Sequence, residues 1–115
     1  MNYKELERLV EQWAQDKGIL DKATPLTQHD KTQEEVDELL LALTNQAQNI
    51  DTYINPKGVM CETDYEIKDA LGDILVTIII QAKLQDLNLI ECLESAYNVI
   101  SKRTGNMING QFVKD

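Results

Sequence analysis

Leucine, isoleucine and valine recur along most of this chain at intervals of three and four residues, the period of a helix that buries one face. In the first segment Leu6, Leu9, Val10 and Trp13 fall on one side and Glu5, Glu7, Arg8, Glu11 and Gln12 on the other. This pattern predicts an amphipathic helix that ends near Gly18. Thr24-Pro25 starts a second helix, because the threonine hydroxyl suits the free first-turn amides and proline loses nothing at the first helical position. That helix is expected to turn Val36, Leu39, Leu40 and Leu43 inward and to fade in the polar run 45–49. Residues 50–62, with Asn55-Pro56 and Gly58 and no sustained period, read as a loop joining two helical halves, long enough to suggest a role of its own. Thr63-Asp64-Tyr65-Glu66 has the form of a capping box, and Ile67, Leu71, Ile74, Leu75, Ile78, Ile79 and Ala82 follow in helical register. Asn88 is placed to cap a fourth helix with Cys92, Leu93, Ala96, Val99 and Ile100 inward, ending before Gly105. In the tail, Asn109-Gly110 stands between the short apolar pieces Met107-Ile108 and Phe112-Val113, the preferred two-residue hairpin turn. An isolated hairpin is marginal, so this one is expected to rest on the bundle or on a partner subunit. The expected fold is therefore all-α, a four-helix bundle with a short C-terminal β-hairpin, in one domain spanning residues 1–115.

Composition sharpens this picture in three ways. The chain has 43% hydrophobic but only 5% aromatic residues, so its interior must come mainly from aliphatic side chains on packed helices. Twenty acidic against 11 basic residues give a net charge of −9, which disfavours nucleic acid and anionic membrane surfaces as partners. The charged amphipathic start does not have the form of a signal peptide, and the apolar stretch from Ala70 to Ala82 is interrupted by Gly72, Asp73 and Thr77. Cys61 and Cys92 lack metal-ligand or CxxC spacing and are expected as free thiols in a reducing, cytoplasmic setting.

The chemistry-bearing residues form two acidic groups, Glu34, Glu35 and Glu38 on the second predicted helix and Glu66, Asp69 and Asp73 on the third. At roughly 100° per residue, Glu35 and Glu38 lie about 60° apart, and the second group spans a similar arc. Asp73 sits inside an apolar run, where an unpaired carboxylate is costly to bury. A cation shared with the acids of the second helix would remove that cost. Oxygen donors with almost no His or Cys suit Mg²⁺, with Mn²⁺ as a substitute, better than Zn²⁺. A ferritin-like di-iron centre needs Glu-x-x-His pairs, whereas the single histidine, His29, stands six residues before Glu35. Glu66 has the competing role of completing the capping box, and Glu34 that of a solvated surface acid.

At Glu34-Glu35-Val36-Asp37-Glu38-Leu39 and Ala70-Leu71-Gly72-Asp73-Ile74-Leu75 the chain resembles the MazG-type all-α nucleoside triphosphate pyrophosphohydrolases. The likeness extends to Thr24-Pro25 and Lys31, to Asp86-Leu87-Asn88-Leu89, and to Asn98 through Lys102-Arg103-Thr104-Gly105. The closing Met107 to Lys114 is similar to the tails of small phage and prophage members. The family pattern is Glu-x-x-Glu on one helix and Glu-x-x-Asp on the next, holding Mg²⁺ against the triphosphate; Glu35, Glu38 and Asp73 match it. Ala70 stands where the second motif has Glu, and Asp69, Glu66 or a water would supply the missing oxygen instead.

The resemblance implies hydrolysis of a nucleoside triphosphate to the monophosphate and pyrophosphate, in a nucleotide-pool or house-cleaning role, by a homodimer or homotetramer. Glu35 or Glu38 would orient or deprotonate the attacking water, and Lys31, Lys102 and Arg103 would meet phosphate oxygens. Asn98 would hydrogen-bond the base or a phosphate. A rival expectation, kept alive by Ala70, is a catalytically weak nucleotide- or protein-binding module on the same fold. A purely structural helical adaptor, with no metal dependence, is a third.

Overall fold

The computed structural model describes all 115 residues. Its elements in chain order are α1 (Tyr3–Asp16), α2 (Ile19–Lys22), α3 (Pro25–Ala47), β1 (Thr52–Ile54), β2 (Met60–Glu62), α4 (Thr63–Leu84), α5 (Leu89–Ile100), β3 (Gly105–Ile108) and β4 (Gln111–Lys114). The molecule is mostly helical, with five helices rather than the four expected. The extra one, α2, is a single turn after Gly18, whose φ of 77° ends α1 in a conformation that glycine adopts freely.

Local chemistry accounts for most boundaries. Asn2, Thr24 and Asn88 each accept a hydrogen bond from the backbone N–H three residues on, capping α1, α3 and α5. At Thr24 the cap is reciprocal, because the Thr27 hydroxyl in turn accepts from the Thr24 N–H. Helices α3 and α4 end alike. The N–H of Ile50 bonds back to the Asn45 carbonyl and that of Leu87 to the Ala82 carbonyl, both at 2.9 Å, around left-handed Asn49 and Asp86.

Residues 50–62 are not a loop. Thr52 pairs with Glu62 and Ile54 with Met60 in an antiparallel hairpin. Its turn is built by Asn55, whose side-chain oxygen accepts from the N–H groups of Lys57 and Val59, both at 3.0 Å, and by Gly58 at φ 81°. The capping box at the start of α4 does not form either. Glu62 occupies the cap position without a side-chain bond, and buried Thr63 donates its hydroxyl to the Ile50 carbonyl at 2.6 Å. That bond ties α4 to the end of α3 and leaves Glu66 without a capping duty. The expected C-terminal hairpin is present, with Asn109 and Gly110 at φ 51° and 79° as the two-residue turn requires.

The central packing is α3 against α4, joined by the β1–β2 hairpin, with α1 and α2 laid along α4. The inward face of α3 is not its leucine face. Gln28, Glu35 and Ala42 are buried while Val36, Leu40 and Leu43 are exposed, and Leu39 alone of the predicted inward set is half-buried. On α4 the buried residues are Thr63, Ala70, Thr77, Ile79, Ile80 and Ala82, with Leu71 and Leu75 exposed. The α3–α4 seam is instead closed by small residues and hydrogen bonds. Gln28 Nε2 donates to the Thr77 carbonyl at 3.2 Å, the Thr32 hydroxyl to that of Thr77 at 2.9 Å, and Gln81 Nε2 to the Pro25 carbonyl at 2.8 Å. No residue of α5 is buried, so its predicted inner positions Cys92, Leu93, Ala96, Val99 and Ile100 face outward. Both cysteines are unpaired, Cys61 buried and Cys92 exposed. No helix is long and apolar enough to cross a membrane.

Candidate functional site

The carboxylates of α3 and α4 meet across this seam. Glu35 is buried on the face of α3 that turns to α4, because it falls one heptad after Gln28 and one before Ala42. Its Oε1 is 3.5 Å from the Lys31 ammonium, one turn earlier, and Lys31 also reaches Glu34 at 3.3 Å. Its Oε2 has no hydrogen-bond partner and no access to solvent. A buried carboxylate oxygen left alone costs free energy that a cation or a donor would return.

The electrostatics identify the neighbours. Burial pushes the Glu35 carboxyl up from its ordinary pKa, and the adjacent Glu38 adds to this, with Lys31 opposing. Asp73 is raised as well, first by burial, then by the charges of Asp69 and Glu35. Burial works to lower the Lys31 pKa, but its bonds to Glu34 and Glu35 outweigh this and hold the ammonium charged. The set Glu35, Glu38, Asp69 and Asp73 is therefore one interacting group with a single nearby cation.

Two cavities flank it. A pocket of about 200 Å³ between α1, α3 and α4 is lined by Glu35, Asp73, Lys31, Gln28 and Thr77, with the Trp13 indole on its wall. On the other side, about 270 Å³ lies beneath the β1–β2 hairpin, lined by Glu38, Glu66, Tyr53, Cys61, Asn55 and Lys57 among others. Burial and then Glu66 raise the Cys61 thiol, while burial, Cys61, Glu66 and Glu38 raise the Tyr53 phenol. The structure thus brings Glu35, Asp73 and Lys31 to one cavity and Glu38 and Glu66 to the other, with Asp69 beside Asp73.

Sequence reasoning missed Tyr53, Cys61 and Lys57, which reach the site only because residues 52–62 fold back as a hairpin. The signal was the β-favouring Thr52-Tyr53-Ile54 and Val59-Met60-Cys61 around Asn55-Pro56-Lys57-Gly58. Asn98, Lys102 and Arg103 are not at the cluster. They lie on the exposed side of α5 and just beyond its end, in a helix that packs extensively on no other element, and neither cation forms an ion pair. His29 is exposed on α3, away from any metal-binding grouping.

The donor set suits a hard divalent cation in kind, being all oxygen, and the orphaned Glu35 Oε2 is a ligand atom without a partner. No three His, Cys, Asp or Glu side chains converge closely enough to form a closed metal shell. As they stand, Glu35, Glu38 and Asp73 do not form such a shell. Ala70 is buried in the seam one turn before Asp73, and Asp69 and Glu66 lie immediately before it and one turn before it on the same helix. No protein-family model, curated protein or solved structure matches this chain.

Proposed function

We propose that the protein is a Mg²⁺-dependent nucleoside triphosphate pyrophosphohydrolase of the nucleotide pool, working in the cytoplasm. The observation that carries this reading is the buried, unpartnered Oε2 of Glu35 in a chain of neighbouring carboxylates that runs from Glu38 through Glu35 and Asp73 to Asp69. Such an arrangement is costly as a scaffold and useful as a site. The resemblance of Glu35-x-x-Glu38 and Gly72-Asp73 to the MazG-type motif supplies the substrate class.

In this reading Glu35, Glu38 and Asp73, with Asp69 or Glu66 in place of Ala70, hold the cation. When bound, the metal neutralises charge on the phosphoryl oxygens and lowers the pKa of a coordinated water. Glu35 or Glu38 would orient the attacking water or accept its proton, whichever carboxylate oxygen the cation leaves free. Lys31 holds the other oxygen of Glu35 and, being half exposed, also offers a cation to a phosphate. Either flanking cavity offers the base a wall, Trp13 in one and Tyr53 in the other.

Ala70 and the unclosed ligand shell favour one alternative, a nucleotide-binding module with little turnover. Pyrophosphate release from a panel of canonical and modified triphosphates, with Mg²⁺, Mn²⁺ or EDTA, separates the two. Metal-dependent release that falls by about 10²-fold or more in Glu38→Ala, with the helical signal intact, is expected. Nucleotide binding without release across the panel would establish the module instead.

A further inference from the structure

The β1–β2 hairpin gives the bundle a cavity whose lining includes hydrogen-bonding groups that the fold itself leaves unused. None of the segments that carry the MazG-type resemblance includes residues 52–62. The cavity of about 270 Å³ beneath the hairpin has Leu41 and Pro56 as apolar walls and Tyr53, Asn55 and Glu66 among its polar groups. Asn55 Oδ1 is spent on the turn, where it accepts from the N–H groups of Lys57 and Val59. Those bonds fix the amide and leave its Nδ2, a double donor, without an acceptor in the chain. The Tyr53 hydroxyl likewise has no hydrogen-bond partner. Half-buried Glu66 lines the cavity from α4, near enough that, after burial, its charge raises the Cys61 thiol and joins Cys61 in raising the Tyr53 phenol.

The cavity on the other side of the carboxylates differs in what it has to offer. There Gln28 Nε2 and the Thr77 hydroxyl are consumed by the seam, and the groups left over are the Lys31 ammonium and two carboxylates. Such charges suit phosphate and cation rather than the edge of a base. Beneath the hairpin, neutral donors and a carboxylate acceptor line one space. A cytosine edge is complementary to that combination, because its N4 amino group donates while N3 and O2 accept. Uracil and thymine carry the acceptor O4 where cytosine carries the amino group, and so would set oxygen against a carboxylate. The volume lies below the ~300–1,000 Å³ typical of cavities for larger ligands, which favours a single ring over a purine.

We infer that the cavity beneath the β1–β2 hairpin selects a cytosine nucleotide, with Glu66 accepting from the exocyclic amino group and the Tyr53 hydroxyl and Asn55 Nδ2 donating to the ring acceptors. Glu38 lines the same cavity and neighbours Glu35, so a nucleotide seated there has the carboxylate group at its phosphate end. Glu66 then reads the base, and Asp69, beside Asp73, is left to the cation. The inference rests on the proposed hydrolase reading for the triphosphate and on the cavity itself for the base.

Calorimetric titration of the full chain with dCMP, dUMP, dAMP and dGMP tests it. Monophosphates carry the base but no anhydride to hydrolyse, so they probe the cavity apart from the chemistry. The expected result is dCMP bound at least about tenfold more tightly than dUMP, since the wrong base leaves the carboxylate without its donor. Tyr53→Phe, which deletes one donor, should weaken dCMP by about 3–10-fold with helical content retained. Glu66→Gln has nearly the same shape and an amide that can donate to O4, and should bring dCMP and dUMP level. Asn55 is left in place because it builds the turn. Equal binding of dCMP and dUMP, tighter binding of a purine, or affinities unchanged in both variants overturns the inference. Pyrophosphate release assayed alongside separates the two readings. Release from several triphosphates without preference for dCTP sinks the cytosine subsite and leaves the hydrolase standing. Selective dCMP binding with no release from dCTP upholds the subsite and sinks the hydrolase.

Discussion

On α3 and α4 the buried groups are glutamine, threonine, glutamate and alanine with only Ile79 and Ile80 of the large aliphatics, whereas along α5 and the terminal hairpin leucine, isoleucine, tyrosine and phenylalanine stand in solvent. The first region is held by directed bonds of 2.9–3.2 Å between elements far apart in sequence. The second is held only by its own helix and hairpin bonds. The contrast teaches that apolar content does not by itself identify a chain's own interior. Small and hydrogen-bonding residues let two helices approach closely without drawing the leucines of α3 inward.

The sharpest way to break this comparison is to remove a polar bond from the seam. Thr77→Val keeps the shape but deletes the hydroxyl that bonds Thr32 and the Ile74 carbonyl. It should cost about 1–3 kcal/mol, read from the urea midpoint. Leu93→Ala in the dilute single chain should cost about 0.5 kcal/mol or less, since that side chain is already exposed. Equal losses would show that α5 contributes to the core after all.

Glu35→Gln probes the same seam by charge. The carboxyls of Glu35 and Asp73 are raised, so the native state holds their protons more tightly than the unfolded chain does. Their contribution to stability is therefore present at acid pH and is lost as pH rises from the ordinary carboxylate range through the raised values. At neutral pH the wild type should unfold at lower urea than Glu35→Gln, and the gap should close toward pH 4.5, the ordinary value for Glu35. Added Mg²⁺ should stabilise the wild type and not the variant. A Glu35→Gln chain less stable than wild type at neutral pH would mean that Lys31 already compensates the buried charge.

The smallest expected effect is Gly72→Ala. A Cβ at this helical position meets nothing within 4 Å. The substitution should therefore add up to about 1 kcal/mol through helix propensity in the dilute chain. A loss of stability instead would show that this face of α4 is more confined than the open space around Gly72 implies.

Much of this was legible in the sequence because it depends on neighbours a few residues apart. Thr24-Pro25, Asn88 and Asn109-Gly110 mark their caps and turn by local chemistry, and α4 announces itself by its period. The inward face of α3 was not legible, since period alone shows that Val36, Leu40 and Leu43 share a side and not what that side meets. The β1–β2 hairpin was hidden for a related reason. Its three-residue strands are too short to show alternation, and Asn55-Pro56 reads equally as a break. Among the acids, spacing brought Glu35, Glu38 and Asp73 forward, while the role of Glu66 turned on Thr63, whose hydroxyl went to Ile50 rather than to a cap.

The Gln28, Thr32 and Thr77 bonds also act as a ruler. Aliphatic surfaces slide past one another with little penalty, and two leucine-lined helices tolerate a slip. Moving α3 along α4 by one turn, about 5.4 Å, would leave Gln28 and Thr77 facing the wrong groups in a dry interior. The same displacement would carry Glu35 away from Asp73. A seam stitched in this way sets the tolerance within which carboxylates on two separate helices keep their distance.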